Sequence, residues 1–266
     1  MEDKPLQYDL VLPFGVACSC SQSLRRAGLQ LLSLPFDWIG RQKGEAFWET
    51  DASTRAAFIR DGFPAFLNLE DFEYRGEHTN GKSSYFNRRT GFVFLHDFPG
   101  GVPIADSITA IREKYARRIE RLYQLLSVSK RILLCRLDRP DLGAFTTLEE
   151  CRAARRILAE RYPTATIDVV LLQCDPNVPF ADCRLEAVED GLFRLAFDYA
   201  DKAPDADPKI PDFKLTSGAL ATHFAVRDYR TPEERRAHER KKCLAKWQKH
   251  GATTRLGYLW NRLLGR

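Results

Sequence analysis

The chain has 266 residues, 44% of them hydrophobic and 29% charged, with a formal net charge of +5. That balance excludes disorder as the main state and leaves room for one large α/β domain or two small ones. No apolar run approaches the length of a membrane span, and the start, MEDKPLQYDL, carries acids where a secretory signal carries basic residues, so neither a transmembrane helix nor a signal peptide is expected. Seven scattered cysteines (18, 20, 135, 151, 174, 183 and 243) with no CxxC pair point to reduced thiols in a cytoplasmic setting.

In chain order, Tyr8–Phe14 (YDLVLPF) reads as a buried strand closed by Gly15, and Ser19–Ala27 as a helix ended by Gly28. Residues 53–67 read as a helix weakened by Gly62 and Pro64, and 68–90 as irregular or hairpin-like. GFVFLHDF (91–98) is a strong strand signal with His-Asp at its end. Ile108, Ile111, Tyr115, Ile119, Leu122 and Leu126 then recur at helical spacing with arginines opposite. RILLCRLD (131–138) is a second buried strand, Thr147-x-x-Glu150 a capping box opening a helix to about Arg161, and TIDVVLLQCD (166–175) and LFRLAFDY (192–199) further strands. Strands alternating with helices predict βαβ crossovers, hence an α/β fold of three layers around one largely parallel sheet. Residues 1–200 form the expected α/β domain, 201–229 a Pro/Asp-rich linker or loop, and 230–266 a basic amphipathic helical tail, opened by Thr231-Pro232-Glu233-Glu234.

Ligands of an open parallel sheet bind outside the carboxyl ends of its strands. Those ends carry Cys18, His96-Asp97, Asp138 and Asp175, a thiol, an imidazole and carboxylates that a hydrophobic core does not require. A helix start favours thiolate over thiol at Cys18, and the N–H groups of Ser19 and Cys20 are placed to receive an oxyanion. His96 is then the proton carrier, with Asp37, Asp138 and Asp97 competing to orient it. Asp97 is the weaker choice, since neighbours on a strand point oppositely. Packing of lone polar groups explains each residue separately. A metal held by Cys18, Cys20 and His96 has only CxC and one distant histidine behind it, so no metal and no cofactor is expected.

GVAC (15–18), LRRAGL (24–29), SLPFDWI (33–39), FLHDF (94–98) and KYARRIERL (114–122) resemble a bacterial family of unknown function grouped as papain-like cysteine peptidases, over about residues 8–175. The resemblance implies that Cys18 is the nucleophile rather than Cys20, that His96 in the HDF element is the catalytic histidine, and that Asp37 and Trp38 of PFDW belong to the site. It also implies a setting near polysaccharide or glycan biosynthesis. The PFDW aromatics are equally accounted for as core wedges around an Asp37 turn.

The last forty residues, 227–266, hold twelve Lys/Arg against four Asp/Glu. With Trp247, Leu256, Tyr258, Trp260 and Leu263 interleaved, they form either an interfacial helix at the inner face of an anionic membrane or a solvated helix packed on the domain; no nucleic-acid motif is present. The sequence thus predicts a cysteine-dependent acyl-transfer enzyme acting on an acyl, peptide or glycan substrate. Its candidate site is Cys18, His96, Asp37 and Asp138, with Ser19, Cys20, Asp97, Trp38 and Arg136 at the substrate. The alternative is a non-catalytic or sugar-nucleotide-binding module in which Arg136 and Arg139 hold a phosphorylated sugar, although no GxGxxG or Walker motif occurs.

Overall fold

In the computed structural model the described residues are 4–43, 47–48, 52–78, 80–143, 145–200 and 211–248. Two short strands, β1 (Leu6–Tyr8) and β2 (Leu10–Pro13), lead into helix α1 (Cys18–Arg26). Then come β3 (Ile39–Lys43), β4 (Phe47–Trp48), α2 (Ala52–Asp61), β5 (Phe72–His78), β6 (Lys82–Asn87), β7 (Phe92–Pro99), α3 (Ile104–Val128), β8 (Arg131–Leu137), α4 (Leu148–Arg161) and β9 (Thr166–Cys174). The chain continues through β10 (Leu185–Glu189), β11 (Leu192–Phe197), α5 (Phe213–His223), β12 (Phe224–Val226) and α6 (Pro232–Gln248).

One five-stranded sheet runs in the order β10-β11-β9-β8-β2. All its pairs are parallel except β10–β11. Its parallel strands β2, β8, β9 and β11 lie in apolar runs predicted from the sequence, with β8 and β9 buried as central strands must be, whereas the exposed edge strand β10 is not among the predicted runs. Pro13 is tolerated because β2 lies at the edge and bonds only β8, which leaves one side of the strand without a ladder to complete. Leu133, Cys135 and Leu137 of β8 share a cluster with Cys20 and Leu24 of α1 and with Ala219 and Leu220 of α5. Helix α4 lies along β9, where Arg155 Nε donates to the Ile167 carbonyl, and opens with the predicted capping box of Thr147 and Glu150.

The expected single sheet is corrected here, because GFVFLHDF does not join it. β7 belongs to a second sheet, order β4-β3-β7-β6-β5, in which every pair is antiparallel. The reason is chain length: residues 88–91 alone join β6 to β7, whereas a parallel return needs a dozen or more residues. The fold is therefore α/β with one mixed, mainly parallel five-stranded sheet, one antiparallel five-stranded sheet inserted between α1 and α3, and a two-stranded parallel pair of β1 and β12. Phe66, Phe72, Phe92, Phe94, Phe98 and Tyr115 interlock edge-to-face over it and beneath α3. No described helix is long and apolar enough to cross a membrane.

The stretch expected to be a linker also contains structure. Asp212 caps α5 by accepting from the Lys214 and Leu215 N–H groups, and Thr216 hydrogen-bonds Ser23 of α1 at 2.8 Å. The apolar Leu-x-x-x-Ala-Leu spacing of 215–220 buries Ala219 and Leu220 against α1, which composition weighted by Pro and Asp obscured. Residues 201–210 lie outside the described residues.

The chain divides into two units, Met1–Arg227 and Asp228–Arg266. In the second, α6 starts as predicted: the Glu234 N–H donates to Thr231 Oγ1 and the Thr231 N–H to Glu234 Oε2. The apolar positions 256–264 of the tail lie outside the described residues.

Helix α1 approaches β2 so closely at Gly15 that a methyl group there would overlap the Cys20 Cβ and sit 3.2 Å from its sulfur. Both partners are anchored to backbone, so Gly15→Ala should destabilise the fold by about 3 kcal/mol, the upper range for overpacking. Urea unfolding checks this, and a loss of under about 0.5 kcal/mol would contradict the packing described.

Candidate active site

Cys18 is the first residue of α1, after an extended Ala17 that offers no side-chain cap, and its thiol is half-buried. Gln22, one turn on, donates from Nε2 to the sulfur at 3.8 Å. Burial pushes the Cys18 thiol above its ordinary value by more than the nearby Arg139 guanidinium and the Gln22 amide pull it down. Helix position alone favours the thiolate, and the desolvation of a charged sulfur opposes that field here.

Two turns beyond Cys18 the same face of α1 carries Arg25. Its Nη2 donates to Asp37 Oδ2 at 2.7 Å and to Ser33 Oγ at 3.1 Å, and its guanidinium lies 5.6 Å from the Trp38 ring. Asp37 is fully buried and also accepts from Gln30 Nε2 at 2.6 Å and the Leu34 N–H at 3.0 Å. Burial pushes its carboxyl up, against the pull of Arg25, Leu34 and Gln30. Asp37 thus fastens the turn that presents Trp38, and Trp38 meets the His96 ring edge-on at 5.8 Å.

His96 is aimed by a bulge. Phe94 and Phe98 pair with Tyr85 and Ser83, so four steps along β7 answer two along β6. Strict alternation would put Asp97 on the face opposite Phe94, yet Asp97 is held by Tyr115 Oη at 2.9 Å and by Lys114, and Tyr115 packs on Phe94. The extra residues exchange the faces of His96 and Asp97, a common use of bulges beside functional groups. His96 consequently points to Trp38, His78 and Asn80.

Asn80 went unnoticed in the sequence. It sits in the β5–β6 turn, where its Oδ1 accepts from the Lys82 N–H at 3.0 Å, which fixes the amide orientation. Its Nδ2 donates to the Leu95 carbonyl at 3.1 Å and lies 2.8 Å from His96 Nδ1. Nδ1 is therefore the acceptor, and the neutral ring carries its hydrogen on Nε2. Burial, then His78, hold His96 below its ordinary value against the opposing Asp97. The Asn80-Gly81 dipeptide between two alternating segments was the available signal, since it marks a tight hairpin turn.

Among the described residues no hydrogen bond or ring contact joins Cys18 to His96; the contacts run from Cys18 to Gln22, and from Arg25 through Trp38 to His96. The candidate orienting carboxylates are engaged elsewhere: Asp37 with Arg25, Asp97 with α3, and Asp138 with the Thr146 N–H at 3.0 Å. Burial pushes the Asp138 carboxyl up, against the pull of Thr146 and Arg136. Of the expected substrate contacts, Trp38 remains half-exposed, while Ser19, Cys20 and Arg136 are buried. Arg139 Nη1 donates to Ser19 Oγ at 3.3 Å, and Cys20 donates to the Cys135 carbonyl at 3.2 Å. Arg136 donates to the Phe14 carbonyl and to Thr146 Oγ1, so it does not stand at an open rim awaiting a phosphorylated sugar. No group of three or more potential metal ligands occurs among the described residues.

Residues 9–177 match the model of the family described as "Putative papain-like cysteine peptidase". The chain belongs to this family. It is also similar to a viral protein, "Uncharacterized protein R408" of Acanthamoeba polyphaga mimivirus, with 28% identity over 159 residues that cover 53% of this chain and 67% of that protein. No solved structure matches the chain. The family match contains Cys18, Asp37, Asn80 and His96 and ends before β10, so the site described lies wholly within the family's part of the chain.

Two measurements test this geometry. Alkylation of Cys18 by iodoacetamide should show a pH midpoint above the ordinary cysteine value, moving higher in Arg139→Met, which removes the downward pull; a midpoint below the ordinary value would contradict it. In Asn80→Ala the neutral form of His96 loses its donor, so its NMR-titrated pKa should rise toward the ordinary histidine value, and a fall would exclude the assigned tautomer.

Proposed function

We propose that this protein is a cysteine-dependent acyl-transfer enzyme, with Cys18 as nucleophile and His96 as the group that handles the proton. The observation that carries the reading is a half-buried thiol at the first residue of α1, beside Arg139, in a chain of the cysteine peptidase family. In the reaction the Cys18 sulfur bonds to an acyl carbonyl carbon. The bond from that carbon to the leaving group breaks, and the leaving group departs with the proton that the thiol gave up. A second nucleophile then attacks the thioester and restores the thiol. Water as that nucleophile makes a peptidase, amidase or thioesterase; a sugar hydroxyl makes an acyltransferase and links the protein to polysaccharide assembly.

The first-turn N–H groups of α1, at Ser19 and Cys20, precede the first hydrogen bond of the helix ladder and are the donors for the oxyanion in this reading. His96 accepts the thiol proton at Nδ1, the ring nitrogen that carries no hydrogen, and Asn80 Nδ2 gives up its bond there while keeping the one to the Leu95 carbonyl. Asn80 takes the orienting role here, because Asp37, Asp97 and Asp138 are committed to other partners. Trp38, between Arg25 and His96, supplies the apolar wall against which the acyl group lies. In this reading the basic α6 brings the enzyme to an anionic membrane surface.

p-Nitrophenyl acetate provides a substrate-independent probe. The full chain should release p-nitrophenolate with an initial burst, and peptide mass spectrometry should find the acetyl group on Cys18. Cys18→Ala should fall to the buffer rate, and His96→Gln should lose about 100- to 1,000-fold in turnover. Undiminished turnover in Cys18→Ala would end the proposal.

A further inference from the structure

Beneath the first turn of α1 lie two guanidinium groups that the acyl-transfer reading does not use. Arg55 of α2 is 2% exposed and Arg136 of β8 is 1% exposed. Arg136 is anchored by Nη1 to the Phe14 carbonyl at 2.6 Å and by Nε to Thr146 Oγ1 at 2.7 Å. Arg55 donates from Nη2 to the Ile39 carbonyl at 3.2 Å, with Phe36 and Phe92 against its guanidinium at 5.0 and 5.6 Å. One nitrogen of each, Arg55 Nη1 and Arg136 Nη2, is buried with no hydrogen-bond partner.

The charges do not balance locally. Arg136 has Asp138 nearby, but the charged groups acting on Arg55 are Arg136, Arg41 and the Cys20 sulfur, with no carboxylate among them. Burial first, then repulsion from Arg136, bring Arg55 down to about 9. A buried cation costs several kcal/mol unless a counter-charge meets it, and an unpartnered buried N–H adds to that cost. Both guanidiniums act electrostatically on the Cys20 sulfur. Burial pushes its thiol up, yet Cys135, the Gly15 N–H and the two arginines bring it below its ordinary value, as positive potential at this spot requires. Its S–H nevertheless points at the Cys135 carbonyl oxygen at 3.2 Å, a contact that suits a donor thiol and repels a thiolate. The counter-charge therefore has to come from elsewhere.

We propose that Arg55 Nη1 and Arg136 Nη2 form a buried site for a small inorganic anion of halide size, beneath α1 and separate from the Cys18 thiol. The site holds the two arginines as cations and ties α2 to the end of β8. It requires neither His96 nor turnover, so its failure and that of the acyl-transfer reading are distinguishable.

The test is thermal unfolding of the full chain at constant ionic strength while potassium gluconate is exchanged for potassium bromide. A site that binds only in the folded state gives a saturable rise in Tm, roughly 5 °C at a hundredfold excess over Kd. Arg55→Met replaces the buried cation with an apolar chain that reaches into the same space. It should abolish the bromide response and, in gluconate, unfold at or above the parent Tm, because replacing buried charge with packed apolar groups is often neutral or stabilising. Crystals soaked in bromide should show an anomalous peak between Arg55 Nη1 and Arg136 Nη2. A Tm indifferent to bromide and no such peak overturn the site. So does loss of stability in Cys20→Ser without a halide effect in the parent, which would make the Cys20 thiolate the counter-charge.

Discussion

A single buried carboxylate couples the two five-stranded sheets. Asp37 stands where the chain leaves α1, which covers the parallel sheet, and before it enters β3 of the antiparallel one. It accepts from Arg25 on one side and from Gln30 and the Leu34 N–H on the other. A fully buried carboxylate is expensive unless each lone pair is met, and breaking such a set leaves an uncompensated charge. The turn 33–37 therefore has little freedom, and Trp38 is delivered to the place where its ring meets both Arg25 and His96. The charge that looked like a catalytic carboxylate works as the fastening between the half of the fold that carries the thiol and the half that carries the imidazole.

Much of this was legible where the signal is local. The start of α1, the capping box at Thr147 and Glu150, the apolar spacing of α3 and the continuous runs of β8 and β9 depend on neighbours within a turn or two, and each lies where periodicity put it. Strand β7 shows the limit. An apolar run ending in a polar pair has the same appearance in a parallel or an antiparallel sheet; only the shortness of 88–91 separated the two. The bulge at His96 belongs to the pairing of β7 with β6 and has no signature in either strand alone.

The site itself was legible as a set of chemical types rather than as a constellation. Cys18 and His96 were visible because a thiol at a helix start and an imidazole in a strand are unusual placements. The carboxylates misled because Asp at a strand end or turn serves backbone N–H groups as readily as it serves a histidine, as Asp138 does for Thr146. Arg136 misled for a related cause: its guanidinium is turned inward, where the Phe14 carbonyl and Thr146 Oγ1, both close to β8, take two of its five donors.

The bulge in β7 has one more consequence, for how the strand tolerates length changes. A β-strand is read in a frame of two, and the extra residues shift that frame at His96 and restore it by Phe98, so the aromatic core on either side keeps its register. Removing two residues from 95–97 would leave the ladder continuous and Phe94 and Phe98 still facing Phe72. Such a shortened protein would keep its core and lose the displaced imidazole, whereas losing one residue would turn the remainder of β7 inside out. Length variation at this point is thus a two-residue event, and it separates the chemistry of the strand from its architecture.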